Sequence, residues 1–410
     1  MNRRVSPTLV FSSLGHLYTH LFTSIFAVVV LTLEQVWRRP YHDLIALWTV
    51  GSLLVGAGAL PAGMLSDRVG PTRMMVVFFL GAGASAVLAG LAGSPLMLLL
   101  ALSLLGVSAS IYHPVGIPWL VQNTPVNRGR ALGFNGIFGS LGTALAGMMA
   151  GVLIDLVNWR AAFMVPGAIS MVTGLAMIRA VRRRTVVDGT MEIDDGPARA
   201  RGEVLHALVL LAVTMFLAGI IYHGAQTALP KLFAVRFGRG DLTGGGALNV
   251  GLMVAGVYGV AAFMQLAGGY LADRYPLKRV YVGAIFIQIP ALWLLSRLGG
   301  VPLIVVATLM VMTGAGALPA ENMLVSRYAP PGRHGLAFGL KFVLAFGAAP
   351  LAVGLVAAVS ERTGGVFAVF LILTALAGAA FLAASLLPGG ERSRADVDVA
   401  HPPELDPTLT

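Results

Sequence analysis

The chain has 410 residues, 57% hydrophobic and only 11% charged, with a mean hydropathy of +0.83. Soluble domains carry about 25% charged residues, so a water-soluble globule is excluded. There is no cysteine, which excludes disulfides, thiolate metal sites and a cysteine nucleophile. The formal charge of +10 falls at the ends of apolar runs, where Lys and Arg set membrane topology, and forms no patch for nucleic acid.

Twelve apolar stretches approach the roughly 20 residues that cross a bilayer. They lie near 9–33, 44–65, 74–93, 96–121, 131–154, 160–180, 205–229, 247–271, 279–296, 302–325, 335–358 and 364–387. The first carries His16 and His20, four residues apart and therefore on one helix face. It is too long and too polar for a cleaved signal peptide. The second ends in Gly63-Met64-Leu65-Ser66-Asp67-Arg68-Val69-Gly70, with Arg73 beyond. The fourth contains Tyr112-His113-Pro114, where the proline frees backbone carbonyls inside the span. The fifth carries Gly136, Gly139, Gly142, Gly147 and Gly151, a small-residue stripe suited to close helix packing in lipid.

Residues 181–204 are the one long polar connection between stretches, with Arg182-Arg183-Arg184 and a mixed-charge run from Glu192 to Pro197. Such a segment buries too little apolar surface to fold alone. It divides the chain into a first half, 1–180, and a second, 205–388, followed by a polar tail expected to be disordered, 389–410. The seventh stretch carries His223 and Gln226, and the eighth ends in Gly269-Tyr270-Leu271-Ala272-Asp273-Arg274-Tyr275, with Lys278 and Arg279 beyond. This second charged turn repeats the first at an offset of about 206 residues, which also superimposes Gly129 on Gly335, Ala131 on Ala337 and Gly133 on Gly339. Glu321 and Lys341 lie inside the tenth and eleventh stretches, where they are expected to pair or to face a cavity. Pro350 is placed to kink the eleventh. Asn135, Gln265, Gln288 and Asn322 are further intramembrane polar candidates.

With the N-terminus inside, about 19 basic residues fall on the inner side and about 8 on the outer, by the positive-inside rule. Both termini are therefore expected in the cytoplasm, in a multi-pass protein of the inner membrane.

The repeated turn, twelve spans and central linker together resemble the major facilitator superfamily. Gly63, Leu65, Asp67, Arg68, Gly70 and Arg73 match its signature turn between spans 2 and 3, and Asn158-Trp159-Arg160-Ala161-Ala162-Phe163 its outer turn between spans 5 and 6. The resemblance covers almost the whole chain. It implies an all-α membrane protein of twelve transmembrane helices in two pseudo-symmetric six-helix bundles. Ser13-Leu14-Gly15-His16-Leu17 and Ser108-Ala109-Ser110-Ile111-Tyr112-His113-Pro114 are similar to the fosmidomycin-resistance branch of efflux proteins. That branch carries an acid shortly after each histidine, where this chain has His20 and Val115.

In the superfamily spans 1, 4, 7 and 10 line the central cavity. The resemblance therefore places His16, His20, Tyr112, His113, His223, Gln226 and Glu321 on cavity-lining spans, where they are candidates for substrate binding or proton coupling, together with Lys341 of the eleventh stretch if it faces the cavity. For each histidine the competing reading is a hydrogen bond to a neighbouring helix; for Glu321 and Lys341 it is a static bridge. The resemblance likewise gives Asp67, Arg68, Arg73, Arg130, Asp273 and Arg274 a gating role, with Asp67 facing the start of span 11 near Gly335 and Asp273 the start of span 5 near Arg130. The competing reading is turn formation.

The expected activity is proton-coupled efflux of a small anionic or zwitterionic solute by alternating access, in a monomer. Proton-coupled uptake of a small carboxylate is the alternative within that class; a receptor that keeps the transporter fold is the alternative outside it. No P-loop, Gly-x-Ser-x-Gly, dinucleotide fingerprint or linear metal motif is present, so neither catalysis, a cofactor nor a bound metal is expected.

Overall fold

Backbone polar groups have no water to bond in a bilayer core, so an apolar chain of this kind satisfies them within helices. The computed structural model describes residues 6–124, 128–189, 201–237, 246–329 and 334–388, and its described residues form fourteen α-helices. In the first half these are α1 (Pro7–Trp37), α2 (Tyr41–Ile45), α3 (Trp48–Val69), α4 (Pro71–Leu91), α5 (Pro95–Ala109), α6 (Tyr112–Gln122), α7 (Arg128–Leu156) and α8 (Trp159–Arg182). In the second they are α9 (Arg201–Arg236), α10 (Gly246–Arg274), α11 (Leu277–Leu295), α12 (Gly300–Tyr328), α13 (His334–Thr363) and α14 (Phe367–Ser385). With α2 and α3 joined, and α5 and α6 joined, they make twelve segments long and apolar enough to cross a membrane.

The duplication read from the two charged turns is visible in the packing. The pairings α1–α7, α4–α8 and α3–α5 of the first bundle recur in the second as α9–α13, α11–α14 and α10–α12. Across the seam the same relation holds, with α7 on α10 and α13 on α3. An even number of spans puts both termini on one face, called here the terminal face; the other is the far face.

Helix breaks follow local chemistry. Pro114 has no N–H to offer the carbonyl of Ser110, and the fourth span divides there into α5 and α6. Gly70 has φ +92°, and the Asp188 carboxylate would stand 2.5 Å from any Cβ added there. That carboxylate accepts the backbone N–H of Thr72 at 2.9 Å, capping the first turn of α4. The glycine of the signature turn is thus fixed both by its backbone and by an acid beyond α8. Of the expected linker, Val186 is buried, and Trp119 Nε1 donates to the Val187 carbonyl at 2.9 Å. Residues 190–200 and the tail lie outside the described residues, and α9 begins at Arg201, inside the expected linker. α13 runs unbroken through Pro350.

The glycine stripe of α7 faces two neighbours. An added Cβ at Gly142 would stand 2.2 Å from the Leu17 carbonyl of α1, and one at Gly151 would stand 2.7 Å from the Ala247 carbonyl of α10. On the opposing helix, a Cβ at Gly251 would stand 2.2 Å from the Gly147 carbonyl. Close backbone approach, which only small residues permit, therefore sets the α7–α10 crossing on the seam.

Candidate functional site

Four polar groups organise the middle of the first bundle. Asn135 of α7 is buried; its Nδ2 donates to Tyr112 Oη at 2.9 Å and to Ser12 Oγ at 3.1 Å. Ser12 donates to the Gly116 carbonyl of α6 at 3.0 Å. His16 Nδ1 lies 2.8 Å from the Asn135 carbonyl and 2.9 Å from its Oδ1. Both neighbours are acceptors, so Nδ1 carries the hydrogen and Nε2 keeps a free lone pair. An added Cβ at Gly139 would fall 2.6 Å from that Nε2. The network ties α1, α6 and α7 together through groups that would each be costly to bury alone.

Three histidines meet beside it. The ring centroids are 5.0 Å apart for His16–His20, 5.4 Å for His16–His113 and 5.5 Å for His20–His113. One ring nitrogen from each lies within 4.8 Å of the others. The second bundle covers them, with the Phe346 ring 4.5 Å and the Phe342 ring 5.5 Å from His113.

A small cavity opens on the seam next to this cluster. Its volume, measured at the centre of a water molecule, is about 30 Å³, room for one or two waters and no more. His20, Thr23 and Ser52 line one wall, and Tyr222, His223 and Gln226 the other. Gln226 Nε2 donates across the seam to Ser24 Oγ of α1 at 3.1 Å.

The structure thus brings together His16, His20, Tyr112 and His113, with His223 and Gln226 across the cavity. Glu321 and Lys341 stand elsewhere. Both are buried and joined at 2.7 Å. Tyr281 Oη donates to Glu321 at 3.0 Å, and Lys341 also bonds Asn322. Their surroundings are the second bundle's own apolar core, among Tyr281, Ala320 and Leu324. Asp67, Arg68, Arg73, Asp273 and Arg274 are exposed at the terminal face, where Arg274 bonds Tyr270 of its own helix. The Arg130 side chain and the surroundings of Gly335, their expected counterparts, lie outside what is described.

On the far face three cross-seam contacts involve residues that the sequence does not single out. Lys231 Nζ of α9 reaches both oxygens of Glu34 of α1, at 2.9 and 2.6 Å, and sits 5.1 Å from the centre of the Tyr41 ring. Tyr41 Oη donates to the Thr227 carbonyl at 3.2 Å. Asp155, near the end of α7, accepts the Leu248 N–H in the first turn of α10 at 2.9 Å, where the helix dipole favours an anion.

The sequence model described as Major Facilitator Superfamily matches residues 13–257 and 243–405. A probable sulfoacetate transporter of Cupriavidus necator is 34% identical over 110 residues, 27% of this chain and 26% of that one. A puromycin resistance protein of Streptomyces alboniger is 28% identical over 59% of this chain and 51% of its own. A putative niacin/nicotinamide transporter of Bacillus subtilis is 21% identical over 55% and 58%. The chain thus spans less than two thirds of these relatives' length. Among solved structures, a bacterial homolog of the human lysosomal transporter Spinster, inward-facing and occupied, superposes with a TM-score of 0.74 at 13% identity, over 93% of this chain and 96% of that one. In the inward-facing unoccupied state of that homolog the TM-score is 0.66.

Proposed function

The chain belongs to the Major Facilitator Superfamily, and on that footing we propose that it is a secondary transporter that carries a small organic anion or zwitterion by alternating access. The observation that carries this reading is the seam itself. A cavity with His20 on one wall and His223 on the other lies between two pseudo-symmetric bundles, with a buried donor network on one side and cross-seam ion contacts on the far face. The cavity of about 30 Å³ has no room for an organic solute, so the bundles must part to admit one. Parting at the far face means breaking Glu34–Lys231 and Asp155–Leu248; parting at the terminal face means moving Phe342 and Phe346 off His113.

In this reading the terminal face is cytoplasmic, by the excess of basic residues there, and the chain works as a monomer. His16, His20, His113 and His223, with Tyr112 and Gln226, bind the solute or exchange protons, since an imidazole can act as hydrogen-bond donor, acceptor or proton carrier. Asp67, Arg68, Arg73, Arg130, Asp273 and Arg274 close the terminal face when the far face opens. The Glu321–Lys341 pair is buried inside one bundle, which favours a structural role over solute binding. Proton-coupled efflux is the direction the span 1 and span 4 motifs suggest, and it agrees with the puromycin resistance relative. Uptake of a small acid is the second reading; the relatives named as sulfoacetate and niacin/nicotinamide transporters agree with a small organic solute in either direction.

A thermal-shift screen of the purified protein tests the substrate class, with sulfoacetate and nicotinate set against lipophilic cations. A ligand that binds only the folded state at about 100-fold its Kd adds roughly 2.7 kcal/mol. Stabilisation by anions that is lost in His113→Ala supports the reading. Stabilisation only by lipophilic cations, surviving His113→Ala, overturns it.

A further inference from the structure

The three-histidine cluster has features that solute binding alone does not explain. Among the described residues no hydrogen bond holds a ring nitrogen of His20 or His113, and neither ring is among those with a fully enclosed unpartnered atom, so both reach open space where a water or an ion can bind; His20 does so on the cavity wall. His16 differs, because Asn135 takes its Nδ1–H and turns Nε2 into an acceptor. A second oxygen acceptor that fixes the tautomer of a histidine is the arrangement found behind metal-ligating imidazoles.

The spacing fits as well. Three imidazoles around a tetrahedral ion at about 2.0–2.1 Å place their ligand nitrogens roughly 3.4 Å apart. The nitrogens here already lie within 4.8 Å of one another, and the rings fan at 52°, 85° and 89° rather than stacking. Small rotations of side chains would close the gap. His16 and His20 come from one helix face, and His113 enters at the break made by Pro114, so both backbones hold the donors from fixed directions.

We propose that His16, His20 and His113 form a binding site for a divalent transition-metal ion of the zinc class, with three imidazole ligands and a fourth position open to the seam. All three donors are neutral nitrogens, which suit Zn²⁺, Co²⁺, Ni²⁺ or Cu²⁺ and not Mg²⁺ or Ca²⁺. No Asp or Glu oxygen of the described residues joins the group. The bound ion therefore keeps its positive charge, and its open position takes water or an anionic donor. His20 lines the cavity, and His223 stands on the opposite wall, so that donor comes from the space between the bundles. Phe342 and Phe346 cover the site, and the ion exchanges only when α13 moves away.

The site coincides with that of the proposed transport function, but metal binding does not depend on transport. The test is a Co²⁺ titration of the full chain, purified without a polyhistidine tag, followed by visible absorption. We expect one Co²⁺ per chain with the intense visible bands of a four-coordinate site, displaced by Zn²⁺ and not by Mg²⁺. His16→Gln, His20→Gln and His113→Gln should each weaken Co²⁺ at least roughly tenfold, and Asn135→Ala, which keeps all three ligands, roughly 10- to 100-fold. His206→Gln, at an exposed position, should change nothing. A wild-type chain with no visible bands overturns the proposal, as does Co²⁺ binding that survives the cluster substitutions or falls with His206→Gln. Anion counterflow without Co²⁺ binding would overturn the metal site alone; Co²⁺ binding without counterflow would overturn the transport reading alone.

Discussion

Lys231 of the seventh span holds both carboxylate oxygens of Glu34 in the first span, at 2.9 and 2.6 Å, directly across the seam between the two bundles. Each partner is 23% exposed, so the pair is neither fully screened nor fully desolvated. A contact of this kind is worth about 1 kcal/mol, enough to shift a two-state opening by roughly fivefold. Glu34→Gln should therefore raise the population open at the far face. The absence of cysteine makes the check simple, because Val353→Cys, on the cavity wall, supplies the sole thiol. Its labelling by a membrane-impermeant maleimide should accelerate several-fold in Glu34→Gln. Unchanged labelling would show that the pair does not hold the far face shut.

The Glu321–Lys341 pair should behave differently. Removing one partner of a buried pair strands the other charge and costs about 3–5 kcal/mol, whereas apolar replacement of both can be neutral. Glu321→Gln is expected to lower the thermal midpoint sharply, and Glu321→Gln with Lys341→Met to recover most of it. A double variant that is stable but inactive would return the pair to the coupling machinery.

Gly251 packs directly on the Gly147 carbonyl at the α7–α10 crossing, leaving no room for a Cβ. Gly251→Ala should separate the helices and destabilise the closed far face by about 1–3 kcal/mol, the usual cost of overpacking. Gly256→Ala, five residues along the same helix and with nothing within 4 Å of its Cβ position, is the matched control. Equal midpoints for the two variants would contradict the close crossing.

Asp188 caps α4 from beyond the end of α8. Asp188→Ala should cost about 0.5–2 kcal/mol, as for other helix caps. Gly70→Ala should destabilise as well, through its φ of +92° and the nearby carboxylate. Because both act on one turn, the double variant should lose less than the two single losses added together. Strict additivity, read from thermal unfolding, would mean that the two residues act separately.

The parts of this fold that were legible in the sequence are those written in apolar run length and in repetition. Twelve spans, and the kinship of the Asp67 and Asp273 turns, needed no coordinates. The site was half legible. His16 and His20 share a face by simple helical period, but their meeting with His113 depends on the break at Pro114 and on Asn135, one amide among several in the spans. Glu34 and Lys231 were missed for a physical reason. In the sequence a charge marks the end of an apolar run, which places both residues just outside 9–33 and 205–229, whereas α1 and α9 continue to Trp37 and Arg236 and carry the pair into the seam. Asp155 and Asp188 act on helix N-termini far away in sequence, and a carboxylate that caps another helix leaves no local pattern.

The central claim is that the histidine-lined seam moves a solute between two faces. Counterflow into proteoliposomes preloaded with unlabelled nicotinate or sulfoacetate tests it most directly, using the labelled compound outside. The account predicts transient accumulation of label by the wild-type chain, abolished in His113→Ala and retained in the Glu321→Gln, Lys341→Met double variant. Binding of these anions without any counterflow, or counterflow untouched by His113→Ala, would contradict it.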